Sequence, residues 1–451
     1  MSPVTIDRDR TAGAPPIRRP AGTVKANLIA LGTAEGVARI AQLLAIALLG
    51  RALGPEGLGI VGVAWAVYQL ALPFVQYAPE LMGARDVARG EDPNEVVADL
   101  TAVKLVIALI AALLIAGTAA LLFSADSVTA IQVAAQGPLL ISMALNPVWA
   151  FRGLRRFAEY AIVRTASSVA LIGLLAGLLW IAPVPWTVPA AESAAALVAA
   201  AVAFALLFDW RSMPRAIART FCGTVALRAK MFDAVQFGLG SFFAGAIWSA
   251  PLLVGRAFLD PVEQGHLAAS LRLMLAINAL FQLGLQVFHP VLAQRYTADR
   301  DAGRTLAGAL VVYAFAGTIP VSALLIVSAP WIIQPMLGAG FAEASDVFAV
   351  LSTSLMPTIV GSVFGYLLMA DGRYRLYVLI CAGGAALSAL SCAAAFSLRP
   401  DAEAVVAVTA TVAAVGIAAG IAAWRLRLVD PRAITWRQLA PARIRQILQE
   451  R

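Results

Sequence analysis

The sequence predicts an all-α polytopic membrane protein of about twelve transmembrane helices, built as two pseudo-symmetric halves. Three observations carry this expectation. Of 451 residues, 61% are hydrophobic and only 13% are charged, where a soluble domain carries roughly 25% charged residues. Twelve apolar stretches reach the roughly 20 residues needed to cross a bilayer, at about 27–50, 58–83, 102–123, 131–151, 160–182, 190–209, 232–256, 265–292, 306–329, 344–370, 374–397 and 403–426. Finally, one turn occurs twice. Gly50-Arg51-Ala52 followed by Pro55, Glu56 and Gly59 recurs half a chain later as Gly255-Arg256-Ala257 followed by Pro261, Glu263 and Gly265. A duplication at that spacing points to a pseudo-symmetric transporter.

Taken in order, residues 1–24 contain Pro15-Pro16 and Arg18-Arg19 and read as a disordered cytoplasmic tail. The first apolar stretch is too long, and too polar in places, for a cleaved leader, so it is expected to stay as the first helix. Residues 25–226 then form one six-helix lobe and 227–427 the other. The stretch 428–451 alternates Trp436, Leu439, Ile444, Ile447 and Leu448 with arginines, the pattern of an amphipathic helix on the inner surface.

Basic residues test the helix count. With both termini inside, 27 of the 34 Lys and Arg residues fall in inner loops and tails, as the positive-inside rule requires. Only Arg51, Arg256 and Arg399 fall outside, and Arg39, Lys104, Arg164 and Arg272 lie within spans. The net charge of +8 thus describes loops beside anionic lipid and gives no reason to invoke nucleic acid. The three cysteines have neither disulfide nor metal spacing. No outer loop exceeds about a dozen residues, so there is no room for an external catalytic domain. The chain shows no Gly-Lys-Ser/Thr phosphate loop, no paired-carboxylate site and no His/Glu metal motif, since His266 and His289 sit near opposite ends of one span. Transport is expected, with no catalytic residue, metal or cofactor.

Polar residues inside spans face a cavity or a neighbouring helix. Glu35, Arg39 and Gln42 line one face of the first helix, and Gln69, Pro73, Gln76 and Glu80 line one face of the second. Asn278, Gln282, Gln286 and His289 share a face of the eighth, flanked by Arg272, while Arg164 with Ser167 and Ser168 marks the fifth. These stripes can converge on one cationic, hydrogen-bonding cavity. Plainer readings stand beside that one. Glu35 and Arg39 can neutralise each other, single Gln and Asn residues can serve as interhelical glue, and Arg164 and Lys104 can snorkel to the inner interface. His266 reads as interfacial. Arg272 has no acidic partner on its own helix and is the stronger cavity candidate. Arg51 and Arg256 either cap helix C-termini or form a two-armed outer gate.

The run Leu49-Gly50-Arg51-Ala52-Leu53-Gly54-Pro55-Glu56-Gly57-Leu58-Gly59 resembles the N-terminal signature of the polysaccharide biosynthesis flippases, the Wzx-type exporters. These belong to the multidrug/oligosaccharidyl-lipid/polysaccharide exporter superfamily, with the MATE antiporters and the lipid II flippase. Gly83-Ala84-Arg85-Asp86, Asn146 to Leu154 (with Arg152 where Gln is usual) and Trp331 to Ala344 are similar to later motifs of that family, so the likeness spans about 24–427. It implies a two-lobed bundle, six helices per lobe, around a central cavity. By alternating access this would carry an undecaprenyl-diphosphate-linked oligosaccharide across the bacterial inner membrane.

On that resemblance Arg39, Arg272, Arg51 and Arg256 are candidate phosphate contacts, and Gln42, Gln69, Gln76, Asn278, Gln282 and Gln286 candidate sugar contacts. It also implies membrane lipids, polysaccharide polymerase and chain-length machinery as partners, and a monomer. Two alternatives stay open: an ion-coupled multidrug antiporter with Glu35 as the coupling carboxylate, and a non-transporting scaffold for polysaccharide assembly.

Overall fold

The computed structural model describes residues 24–123, 126–207 and 224–430. The expected N-terminal tail, the arginines from Arg211 to Arg219, Cys222 and the amphipathic C-terminal segment from Pro431 lie outside the described residues, as does the side chain of Gln286. Among the described residues the ordered elements are all helical. We number the spans α1 (24–53), α2 (55–88), α3 (Pro93–Leu122), α4 (Ser127–Gly153), α5 (Phe157–Ile181), α6 (Thr187–Leu207), α7 (Thr224–Gly255), α8 (Pro261–Ala298), α9 (Arg300–Leu337), α10 (Ala344–Ala370), α11 (Tyr374–Leu398) and α12 (Ala402–Arg425).

Helical hydrogen bonding runs almost without interruption from Gly32 to Ala88, 57 residues. At about 1.5 Å per residue that length is nearly three times the ~30 Å of a hydrocarbon core. Gly54 resolves the contradiction, because its φ of 66° and ψ of −175° break the run into α1 and α2. The fold-back is visible in the contacts: Glu35 on α1 and Glu80 on α2 are linked through Tyr160 and Arg152. Among the described residues, eleven membrane-length helical runs therefore make twelve spans.

Sequence chemistry sets the ends. Asp92, Asp126, Asp260, Asp299 and Asp401 each accept hydrogen bonds from amides of the turn they precede, and Pro93 and Pro261 occupy first positions that need no donor. Pro73 cannot supply an amide in mid-helix, and α2 responds with a π-turn over Pro73–Tyr77. In α4, Asn146-Pro147 interrupts the helix, the Asn146 Oδ1 accepting from the Val148 amide at 3.0 Å.

Odd-numbered helices run toward the Gly54 end and even-numbered ones return. The opposite end carries Arg85, Arg152, Arg156, Arg300, Arg304 and Arg373; there Arg300 pairs with Asp371 and Arg304 donates to the Arg427 carbonyl. We call it the basic end. In the first half α1 packs on α5, α5 on α6 and α3 on α4; in the second, α7 packs on α11, α9 on α10 and α10 on α12. Large apolar side chains such as Leu113, Leu121 and Leu398 stand fully outward, and exposed Trp180, Trp186, Trp331 and Trp424 lie near helix ends. That is the pattern of a lipid-facing surface with aromatic belts.

The halves meet along α2 and α8. A Cβ on Gly59 would lie 3.0 Å from the Gly265 amide nitrogen, one on Gly62 would lie 2.4 Å from the Ala268 Cβ, and one on Gly265 would overlap the Pro55 carbonyl. Backbones can come this close only where side chains are absent. Leu49, Leu58, Val61, Leu252, Leu267, Leu271, Leu337 and Phe341 then form one buried apolar cluster across the boundary. Nearer the basic end α7 also touches the first half, with Gly238 under the Phe74 ring and Lys230 paired with Asp99.

Gly54 has open space where a Cβ would stand, so Gly54→Ala tests backbone conformation alone. That region of φ and ψ costs a non-Gly residue about 1–3 kcal/mol, and thermal unfolding of the purified variant is expected several degrees below the parent, with helix content unchanged.

Candidate functional site

The residues singled out in the sequence fall at three depths. At the Gly54 end, both repeat arginines reach across the boundary between the halves. Arg51 donates through Nε to the Met336 carbonyl at 3.2 Å and through Nη2 to the Pro335 carbonyl at 2.5 Å. These carbonyls belong to the last turn of α9, where intrahelical donors run out. Arg256 donates through Nη2 to Asp126 Oδ2 at 2.8 Å, just ahead of α4. Helix-end capping is thus real for Arg51, but the helix capped belongs to the other half. Burial alone would raise the Asp126 carboxyl; the Thr129 hydroxyl and amide, together with Arg256, outweigh it and hold the group below its ordinary range.

At mid-depth, about 11 residues or ~16 Å into α8, the Arg272 guanidinium lies over the Trp65 ring of α2 at 5.3 Å. Its Nε is buried without a hydrogen-bond partner. The sequence offered no acidic partner on the same helix; the fold supplies Glu192 from α6, close enough to interact electrostatically but outside ion-pair distance. Asn278 is buried with its Oδ1 unbonded, Gln282 donates to the Ser362 hydroxyl at 2.7 Å, and Gln69 and Gln76 are half-buried on α2. Gln282 is thus interhelical glue in this arrangement.

Toward the basic end of the first half lies a network that the sequence reading missed. Glu35 is 8% exposed. It accepts from the Tyr160 hydroxyl and from Arg164 Nη2 at 3.3 Å; Arg39 instead donates to Gln42 Oε1 at 2.8 Å. The expectation that Arg164 snorkels outward is corrected, since it turns inward to a carboxylate. Lys104 is corrected more firmly: at 1% exposure it donates to Glu80 Oε1 at 3.4 Å and to the Asn146 carbonyl at 3.1 Å. Arg152 reaches the other Glu80 oxygen at 3.5 Å and stacks over Tyr160 at 5.8 Å. One connected group of charges therefore joins α1, α2, α3, α4 and α5. The signal was present as Lys104 and Glu80, each deep in an apolar stretch, but their helices had no visible register.

At the Gly54 end of α8, His266 is buried among protein atoms, and with Glu263 and Glu343 it brings three potential ligand atoms within 4.8 Å of one another. The His/Glu cluster unseen in the sequence exists in space. Its local half, Glu263 and His266, was legible as a pair at i, i+3; Glu343 comes from the turn before α10.

The sequence profile described as polysaccharide biosynthesis protein matches residues 24–296. The chain belongs to that family. The matched span includes Gly54, both repeat arginines and Arg272; the remaining helices are placed by structural likeness. An inward-facing multidrug resistance MATE family transporter of the MOP superfamily superposes with a TM-score of 0.65 at 16% identity, covering 86% of this chain and 94% of that one. The lipid II flippase MurJ in an inward closed conformation gives 0.60 at 13%, covering 93% and 92%. An outward-facing MATE family transporter gives 0.58 at 15%, covering 90% and 96%. At these identities the likeness establishes a shared fold. No curated protein matches the chain. Family and fold together support a flippase or exporter.

Two outcomes test this geometry. Glu80→Gln leaves buried Lys104 without a charge partner, which costs about 3–5 kcal/mol; thermal unfolding is expected to drop sharply, and to recover in part when Lys104→Met is added. The Asp126–Arg256 tie, with its carboxyl pKa lowered on folding, contributes fully above the ordinary carboxylate range and is lost only as pH falls through the folded value. Hydrogen exchange at 252–260, corrected for intrinsic rate, should therefore match at about pH 7 and about pH 5, whereas Asp126→Asn speeds it at both.

Proposed function

We propose that the protein is a flippase that moves an undecaprenyl-diphosphate-linked oligosaccharide across the bacterial inner membrane for surface polysaccharide biosynthesis. The basic end faces the cytoplasm in this reading, as the positive-inside rule favours. The observation that carries it is Arg272: a guanidinium at mid-depth on the boundary between the halves, with a buried donor left unbonded. An ionic group held there without a full set of partners is expensive. A diphosphate is an oxyanion that guanidinium satisfies in charge and in geometry. Trp65 offers an aromatic face beside it, and Asn278 and Gln69 offer amides suited to sugar hydroxyls. The lipid tail stays in the bilayer, between lobes.

Arg51 and Arg256 close the Gly54 end in this state, so release on that side requires both to let go. Each then presents a free guanidinium to the departing diphosphate. Arg39 lies deeper on α1 and serves as an entry contact. Polymerase and chain-length proteins are the expected neighbours of a monomeric flippase.

Glu35 favours a second reading, the ion-coupled multidrug antiporter. It is buried, and protonating it would uncouple Arg164. One experiment separates the two. In cells deleted for the gene, Arg272→Ala supplied at wild-type protein level should cut surface glycan more than tenfold, with lipid-linked glycan accumulating, and Arg272→Lys should restore part of it. Normal glycan with Arg272→Ala defeats the assignment. Raised drug sensitivity with Glu35→Gln and unchanged glycan would establish the antiporter instead.

A further inference from the structure

We infer that Glu263, His266 and Glu343 form a divalent transition-metal site, with zinc the best-matched ion, that pins the α9–α10 turn onto α8. The site stands on two independent observations. The first is the cluster: three donor atoms, one imidazole nitrogen and two carboxylate oxygens, all within 4.8 Å of one another. The second is the state of His266. The ring is 2% exposed, and its Nε2 sits 3.0 Å from the Gly340 carbonyl. A carbonyl only accepts, so Nε2 carries the proton and Nδ1 keeps its lone pair. That Nδ1 is buried with no hydrogen-bond partner and points to Glu343 Oε2 at 3.6 Å. A metal-ligating histidine commonly has its second nitrogen fixed by a backbone carbonyl in this way.

Distances suit a small cation. Ligands at about 2.0–2.2 Å around a tetrahedral ion stand about 3.4 Å apart, so the His266–Glu343 separation is already near that value. Glu263 is anchored, because one of its oxygens accepts from the Ala402 amide at 2.8 Å. Glu343 is largely exposed and free to swing in. Two carboxylates cancel the charge of a divalent ion. Three protein ligands leave the fourth position to water, and a nitrogen with hard oxygens selects zinc over magnesium or calcium.

Position gives the site a consequence. Gly340 and Glu343 belong to the turn whose preceding residues, Pro335 and Met336, hold Arg51, and Gly340 lies against Pro55. A bound ion would tie this turn to α8 and stiffen the closure at the Gly54 end, whatever the transported substrate.

The test uses the full chain in detergent, with Cys222, Cys381 and Cys392 replaced by serine and metal stripped by chelator. Calorimetric titration with Zn²⁺ should show one equivalent bound in the micromolar range or tighter, and Zn²⁺ should raise the unfolding temperature. His266→Gln should abolish both effects, Glu343→Gln should weaken binding at least tenfold, and His289→Asn, which removes the other histidine, should leave it intact. Absence of stoichiometric binding in the parent, or binding that survives His266→Gln, overturns the site. If His266→Gln does not fold, the exposed Glu343→Gln variant decides: an unchanged affinity rejects the proposal.

Discussion

The close approach of α2 to α8 is the constraint on which the rest depends. It is made by the two copies of the repeated turn meeting each other, Gly59 against Gly265, at the line that relates the halves. A duplicated turn that packs on its own copy must be self-complementary, as in a two-fold interface, and in lipid the lowest-cost solution is small residues on both sides. Everything larger is displaced to the flanks. Leu58 and Leu267 fill the core beside the crossing, and Arg51 and Arg256 are pushed outward to opposite sides. Each therefore finds its partner on the other half, Arg51 at the end of α9 and Arg256 at the start of α4. The reciprocity of the two arginines is a consequence of the glycine contact.

That same geometry explains why ionic groups are distributed in layers. Near the crossing the backbones exclude side chains, so charges there are confined to the rim. One turn further in, α2 and α8 have room for Trp65 and Arg272. Toward the basic end the first half gathers most of its buried charges into one cluster, in which the Glu35 and Glu80 carboxylates pair with Lys104, Arg152 and Arg164 among α1 to α5. A buried cluster of this kind contributes little net stability relative to an apolar core, but losing any one member strands the rest. It ties five helices of the first half, α1 to α5, to one another.

The twelve spans, their alternation and the duplication were legible because each rests on local chemistry: apolar length, loop arginines and a repeated run of Gly, Arg and Pro. The stop between α1 and α2 was legible too, since Gly54-Pro55 names its own break. What failed was pairing. Lys104 and Arg164 were read as snorkelling because a single helix shows how far a cation lies from its end and nothing of the carboxylate one helix away. Glu192 was passed over for the same reason, although a carboxylate that deep in an alanine-rich stretch needs a cation somewhere. Glu35 and Arg39 looked like partners at i, i+4, yet Tyr160 and Arg164 outcompete Arg39 from α5. Spacing along one helix is a weak guide wherever a second helix offers a better-aligned donor.

The strength of the closure at the Gly54 end bears on the transport reading. Its ionic part is modest, because Arg51 is exposed and Arg256 and Asp126 are each about a third exposed, and exposed pairs contribute about 0–1 kcal/mol each. The apolar contact between α2 and α8 is the larger component, yet it gains little from hydrophobicity when lipid is the competing solvent. A barrier built this way is tight in shape but shallow in free energy. A ligand need only bind the open form a few kcal/mol better to reverse the populations, and an anion that takes both guanidiniums in place of Asp126 and two carbonyls makes that kind of differential contact. In the flippase reading proposed above, the twin arginines would then act as the balance point between closed and open forms, and the weakness of each bond would make that closure reversible.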